Sequence, residues 1–154
     1  MRRLDKEITD KNVIEDILTK SRICRFGFVE NDEAYIVPLN FAYSEGFIYV
    51  HSAHSGKKMD LIKQNNRTSF EIEYYSEIVE GEKSCDWTAK YRSAMGKGVI
   101  TIENDITAKT NGLNLIMRKY GAKGDLVYDE ASLSRMTLLK MEIESVTGKQ
   151  SGDW

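Results

Sequence analysis

Proline occurs once in this 154-residue chain, and cysteine and histidine twice each, and the scarcity of the last two excludes whole classes of chemistry. Cys24 and Cys85 are too few for the disulfide framework of a small secreted domain, and they form no C-x-x-C pair. Cys24 lies in an apolar strand-like stretch and is read as a buried structural thiol rather than a nucleophile; Cys85, in a polar loop, is slightly more open to reaction. His51 and His54 stand three apart across an expected strand end and turn, and a zinc site needs further ligands, so no metal is expected. With no other imidazole available, a Ser-His-Asp hydrolase would have to be built around this one segment.

Long apolar runs are also missing. The longest uncharged stretches, Ala34 to Ser44 and Gly46 to Gly56, fall well short of the ~20 residues that span a bilayer. Neither G-x-G-x-x-G nor G-x-x-x-x-G-K-[ST] occurs, which removes the usual glycine-loop nucleotide sites. A net charge of -2 gives no general attraction to nucleic acid or an anionic membrane, so any anion site has to be local. The charged start, Met1-Arg2-Arg3-Leu4-Asp5-Lys6-Glu7, lacks the apolar core of a secretory signal, and a soluble cytoplasmic protein is expected.

What is present reads as one domain over residues 1–154, mainly β with flanking helices. A first helix starts after Thr9 or Asp10, with Val13, Ile14, Ile17 and Leu18 on one face. Strand-like segments follow at Ile23–Glu30, Ala34–Tyr43, Phe47–His51 and Thr68–Tyr75, with Asn31-Asp32 and Ser44-Glu45-Gly46 as turns between the first three. Loops this short imply antiparallel neighbours rather than a doubly wound sheet. After a polar stretch, Ser76 to Lys90, a long strand runs from Tyr91 to Glu103, where Gly96 and Gly98 suggest a bulge or a close backbone approach. Asn104 or Asp105 caps a helix carrying Leu113, Ile116, Met117 and Tyr120, ended by Gly121, and a last strand spans Met136–Val146. Six antiparallel strands without a repeat suggest a closed or partly closed barrel, since closure removes exposed edges. The tail from Thr147 is expected to be loose unless Trp154 finds a pocket.

The chemistry concentrates in Tyr49 to Ile62, read as a strand passing through a turn into a helix. Ser55-Gly56-Lys57-Lys58 opens that helix, where free amides, the positive dipole end and two ammonium groups suit a phosphate. The same run also reads as an ordinary helix start with solvated lysines. His51, at the strand end, suits either a ligand contact or a hydrogen bond within the barrel. Pro38 sits within Tyr35-Ile36-Val37-Pro38-Leu39-Asn40-Phe41 and cannot donate to a ladder; either a flat aromatic ligand faces that backbone or the segment is a sheet edge. Trp87, Tyr91 and Arg92 suit a substrate wall, a subunit contact or, for Tyr91 with Met95, the core.

Val37-Pro38-Leu39-Asn40-Phe41-Ala42-Tyr43, then Tyr49-Val50-His51-Ser52-Ala53 with Gly56-Lys57-Lys58, then Tyr91-Arg92-Ser93-Ala94-Met95-Gly96-Lys97-Gly98 resemble, in order and spacing, the flavin-binding split-barrel superfamily. Within it, the chain looks most like the nitroimidazole-resistance branch of the pyridoxamine-phosphate-oxidase-related proteins, over roughly residues 3 to 149, including Thr147-Gly148-Lys149. The resemblance implies a homodimer of six-stranded antiparallel split β-barrels with FMN at the subunit interface. It implies ring contacts at Pro38, Leu39 and Asn40, and ribityl or phosphate contacts at His51, Ser52, Ala53, Gly56, Lys57 and Lys58. It makes His51 the substrate-binding histidine and brings Trp87, Tyr91 and Ser93 from the second subunit. The expected activity is FMN-dependent reduction of a small acceptor such as a nitroaromatic; the rival is a non-catalytic flavin- or haem-binding carrier or sensor. Oxidases of pyridoxamine phosphate proper end in an arginine-containing motif closing on proline, whereas this chain ends Gln150-Ser151-Gly152-Asp153-Trp154, so that oxidation is not expected. Asn65-Asn66-Arg67 replaces the family's frequent Asn-Pro, a change expected to affect only a turn.

Overall fold

The computed structural model describes residues 3–154; Met1 and Arg2, from the charged start, lie outside the described residues. A single 3₁₀ turn at Leu4–Lys6 leads to β1 (Glu7–Ile8), α1 (Lys11–Lys20), β2 (Ile23–Glu30), β3 (Glu33–Ser44) and β4 (Phe47–Ala53). Then come α2 (Lys57–Gln64), β5 (Arg67–Val79), β6 (Thr88–Glu103), α3 (Ile106–Lys119), α4 (Glu130–Arg135) and β7 (Met136–Ser151). Asn31 and Asp32 both have positive φ, 50° and 64°, as do Glu45 and Gly46, 51° and 84°. Positive φ at both central residues defines the two-residue turns whose twist matches a β-hairpin. Two such hairpins in succession therefore make β2, β3 and β4 antiparallel neighbours.

The sheet order is β1-β7-β4-β3-β2-β5-β6, and β6 pairs back onto β7. Six strands thus form a closed antiparallel ring, as the sequence suggested. The seventh, β1, is a two-residue addition to the edge of β7, pairing Glu7 with Lys149 and Ile8 with Gly148. The alternating burial of Cys24, Phe26 and Phe28 in β2 and of Phe70 and Ile72 in β5 fills the interior with Phe41, Ile48, Val50, Ile100, Leu139 and Met141. Helix α1 adds Ile17 and Leu18 to this core, and α2 adds Met59, Leu61 and Ile62. Helix α3, capped by Asp105 accepting from the Ala108 amide at 2.8 Å, lays Leu113 and Ile116 on Ala42 and Leu138 on the outer face.

The structure departs from expectation where strands lack a buried face. β5 continues to Val79 and β6 begins at Thr88, so part of the polar stretch is a two-stranded arm in which Ile78 pairs with Ala89. β7 continues to Ser151, so the tail is not loose: Trp154 meets Tyr75 edge-on at 5.4 Å and lies beneath the Arg92 guanidinium at 4.0 Å. The expected bulge is present as a register shift between Lys97 and Gly98 against β7. A Cβ at Gly98 would collide with the Glu142 carbonyl, so a side chain there cannot coexist with the ladder.

Gly98→Ala is expected to destabilise the fold by about 1–3 kcal/mol, the usual range for forced overpacking, measured by urea denaturation. A second prediction concerns Lys119 in the last turn of α3, whose ammonium lies 3.2 Å from the centre of the Phe41 ring and donates to the Leu18 carbonyl at 3.3 Å. Burial lowers its pKa from 10.5 to about 8. Between those values the unfolded chain binds more protons than the folded one, so this residue makes stability rise with pH from about 8 to 10.5. In Lys119→Met, thermal midpoints measured at pH 7.5 and 10 should lack that increment relative to the parent protein.

Candidate functional site

The barrel opens where β4 leaves β3. The β2–β3 ladder runs the length of both strands, from Glu30 with Glu33 to Ile23 with Asn40, whereas the β3–β4 ladder stops at Phe41 with Val50. Beyond that pair, β4 continues from His51 to Ala53 on β7 alone. In a two-residue hairpin the residues flanking the turn are hydrogen-bonded, and antiparallel pairs then alternate. Tyr35, Val37 and Leu39 therefore bond to β2, while Ile36, Pro38 and Asn40 direct their backbone groups to the side that β4 has left. The amide that Pro38 lacks falls on this unpaired edge and deprives β2 of nothing. Asn40 keeps both an N–H and a C=O there.

The side chains follow the same phase. Pro38 and Asn40 are exposed on the outer face, whereas Leu39 turns inward and packs against the core, leaving only its backbone toward the split. On the other side of β3, Tyr120 extends its attachment to β2: its hydroxyl accepts from the Phe41 amide at 3.2 Å and donates to the Arg22 carbonyl.

The opposite side of the split is the segment from His51 to Lys58. His51 is exposed and no side-chain hydrogen bond joins it to another described residue. His54, by contrast, is held at both ring nitrogens, by the Ser134 carbonyl and the Thr137 hydroxyl. Ser52 is buried opposite Thr137, and Ala53 is exposed opposite Met136. Gly56 (φ 109°) starts α2 without a side-chain cap, whereas Asp10, Asp105 and Asp129 cap the other three α-helices. A positive φ of this kind is costly for any other residue, so the glycine permits the turn.

The two lysines differ. Lys57 pairs with Glu30 and lies 4.6 Å over the Tyr35 ring, so the structure commits it to the β2–β3 hairpin. Lys58 is half-buried, burial lowers its pKa, and among the described residues no carboxylate lies within ion-pair distance of it. Such a cation favours an anionic neighbour. An unpaired cation, an uncapped helix start and an open strand edge can together hold a molecule with a phosphate at one end and a flat hydrogen-bonding ring at the other.

The chain alone does not bring the remaining candidates here. Ser93 is buried on β6, with β2 and β5 between it and Asn40; Tyr91 is paired with Ser151 near the end of β7; Trp87 is half-exposed beyond the arm. Glu30, Tyr35, Ser134 and Thr137 were not legible as site residues, because each meets its partner only through tertiary pairing. Burial drives the Cys24 pKa well up, in keeping with a structural thiol. Among the described residues no cluster of three or more His, Cys, Asp or Glu could hold a metal, and no helix is long and apolar enough to cross a membrane.

A closed six-stranded ring split along one strand defines a split-barrel protein. The family profile described as pyridoxamine 5'-phosphate oxidase matches residues 10–150, and the chain belongs to that family. Comparison with curated proteins returns no match. Among solved structures, a candidate 5-nitroimidazole antibiotic resistance protein from Bacteroides thetaiotaomicron VPI-5482 is 28% identical with a TM-score of 0.83, covering 94% of this chain and 86% of that one. The FAD and heme binding protein from Mycobacterium smegmatis has a TM-score of 0.86 at 16% identity, over 97% of this chain and 75% of that one. The flavocytochrome Anf3 from Azotobacter vinelandii has 0.83 at 13%, over 99% and 72%. At these last identities the likeness is one of fold.

The two histidines should separate in a stability assay. His54→Ala strands the Thr137 hydroxyl and should lower the free energy of unfolding by about 1–3 kcal/mol, whereas exposed His51→Ala should stay within about 0.5 kcal/mol of the parent in urea titrations.

Proposed function

We propose that the split binds FMN and that the protein is an FMN-dependent oxidoreductase reducing a small acceptor, a nitroaromatic among the candidates. The observation that carries this reading is Lys58, half-buried without a counter-ion beside the uncapped start of α2, at the end of an open β3 edge. Lys58 and the first amides of α2 hold the phosphate, and Ser52 and Ala53 flank the ribityl chain. The backbone of Pro38 to Asn40 faces the ring, with Asn40 offering both a donor and an acceptor. A bound flavin would supply the two-electron chemistry, and the chain would hold and orient it. His51, free at its ring nitrogens, orients the acceptor or donates a proton to it.

The resemblance to nitroimidazole-resistance proteins supports this activity, as does the similar Bacteroides structure named for that resistance. A homodimer belongs to the same proposal. The outer sheet face carries a groove of about 610 Å³ floored by Gly27 and Ser69 and walled by Ile36 and Met95, of which Ile36 is 63% exposed. A second copy seated there would cover these residues and deliver Trp87 and Tyr91 to the other protomer's split, whereas Ser93 is buried within its own chain. A second reading, a carrier or sensor binding FAD or haem without turnover, draws on the two similar folds named for those groups.

The test is an absorption spectrum from 300 to 600 nm, before and after FMN addition and desalting. Retained flavin bands support a flavin site, and reduction by NAD(P)H followed by reoxidation with a nitroaromatic then separates the enzyme from a flavin carrier; a Soret band moves the assignment to a haem-binding protein; neither band removes both readings. Lys58→Met should raise the FMN dissociation constant about tenfold or more, the worth of a charge-assisted hydrogen bond, and abolish the preference over riboflavin. Lys57→Met should have the smaller effect, since Glu30 already holds that ammonium.

A further inference from the structure

A second groove, of about 550 Å³, lies where α1 hands over to β2, and nothing above uses it. Lys20, Arg22, Arg25, Glu73, Tyr74 and Tyr75 line it. Its floor is one strand away from the split: Ile23 lies opposite Asn40, and Arg25 opposite Pro38. Both are non-hydrogen-bonded pairs, which bring Cα atoms to about 4.5 Å and side chains onto one face. No β3 residue lines the groove, so a molecule seated here would sit one strand away from the edge assigned to the ring.

The charges in the groove are partly spoken for. Lys20 pairs with Asp16 at 2.6 Å and Arg25 with Glu71 at 2.9 Å. Among the described residues, Arg22 and Glu73 have no ion-pair partner, so the groove presents one free guanidinium and one free carboxylate. Two of the carbonyls at the end of α1, which would repel an anion, are already engaged. Ile17 accepts from the Ser21 hydroxyl at 2.6 Å, and Leu18 accepts from Lys119 at 3.3 Å. Tyr74 and Tyr75 add an aromatic wall.

Tyr75 supplies an independent observation. Its φ of 64° is left-handed, a conformation a tyrosine adopts at a cost that glycine would avoid, and it sits at the register shift between Tyr74 and Ser76. The surroundings hold it there: Trp154 meets its ring edge-on and its hydroxyl bonds Glu77. Residues held in such strain gather where a ligand uses their side chain.

We infer that this groove binds a small aromatic zwitterion, its carboxylate on the Arg22 guanidinium, its ammonium on Glu73 and its ring against Tyr75. The forked guanidinium matches a carboxylate in two parallel hydrogen bonds. The groove is the substrate subsite of the proposed flavin site; its role rests on that reading, but its binding does not.

The probe is 4-(aminomethyl)benzoate, titrated calorimetrically into the full chain with and without FMN, with benzoate and benzylamine as half-probes. The zwitterion should bind more tightly than either half. Arg22→Ala should weaken zwitterion and benzoate about tenfold and spare benzylamine, and Glu73→Gln should weaken zwitterion and benzylamine and spare benzoate. Tyr75→Gly, which tolerates the left-handed backbone but removes the aromatic wall, should weaken all three, whereas Ile78→Ala, exposed elsewhere on the same strand, should not. Lys123→Ala, outside the groove, should change nothing. No zwitterion binding, or binding indifferent to Arg22, Glu73 and Tyr75, overturns the inference. Zwitterion binding in a protein that retains no FMN keeps the groove and removes the flavin reading.

Discussion

One strand serves two neighbours of unequal reach, and the rest of the site depends on that mismatch. β3 is bonded to β2 almost throughout but to β4 for only four residue pairs, from Phe41 with Val50 to Ser44 with Phe47. Had β4 stayed on β3, Asn40 would face His51 across a ladder and no space would remain between them. Its departure from β3 turns a run of backbone donors and acceptors into a binding edge without breaking the ring, because β4 stays paired with β7 along its whole length and β7 is long enough to carry β4, β1 and β6 at once. The lone proline fits this arrangement. It occupies a position whose missing amide no neighbouring strand needs, and it discourages another chain from adding itself to the edge.

The charge arrangement follows from the same geometry. Lys57 and Lys58 are adjacent in sequence, but the start of α2 turns them to different tasks. The first ties the helix to the β2–β3 hairpin through Glu30 and Tyr35, fixing one wall of the split, while the second is drawn inward and left without an acid. His51 and His54 divide likewise into a free ring and one bonded at both nitrogens. In each pair one residue holds the frame and its neighbour faces the opening.

Much of the frame was legible because it rests on local chemistry. The turns at Asn31-Asp32 and Glu45-Gly46, the Asp105 cap, the alternation in β2 and the glycine-marked bulge in β6 are written in neighbouring residues. What escaped lacks a local signal. Ser76 to Val79 has no buried face, so no period shows; Thr147 to Ser151 looks like a polar tail until β6 pairs with it; and α4 is a short helix after an irregular loop. In the candidate site, residue types pointed to Pro38–Asn40 and to the segment from His51 to Lys58, but Lys57's attachment to Glu30, His54's bonds to Ser134 and Thr137, and the inward turn of Leu39 depend on which strands pair. No spacing along the chain encodes those.

The ring closes through β7, which joins the free edges of β4 and β6 more than thirty residues after β6 has ended. During synthesis, everything from β2 to β6 therefore emerges as an open, curling sheet with two unsatisfied rims and Phe26, Phe41 and Phe70 only partly sheltered. Contacts this distant form slowly and leave sticky intermediates exposed meanwhile. The nascent protein thus depends on residues 136–151 clearing the ribosome before it has a finished interior, and until then its demand for chaperones should be greatest.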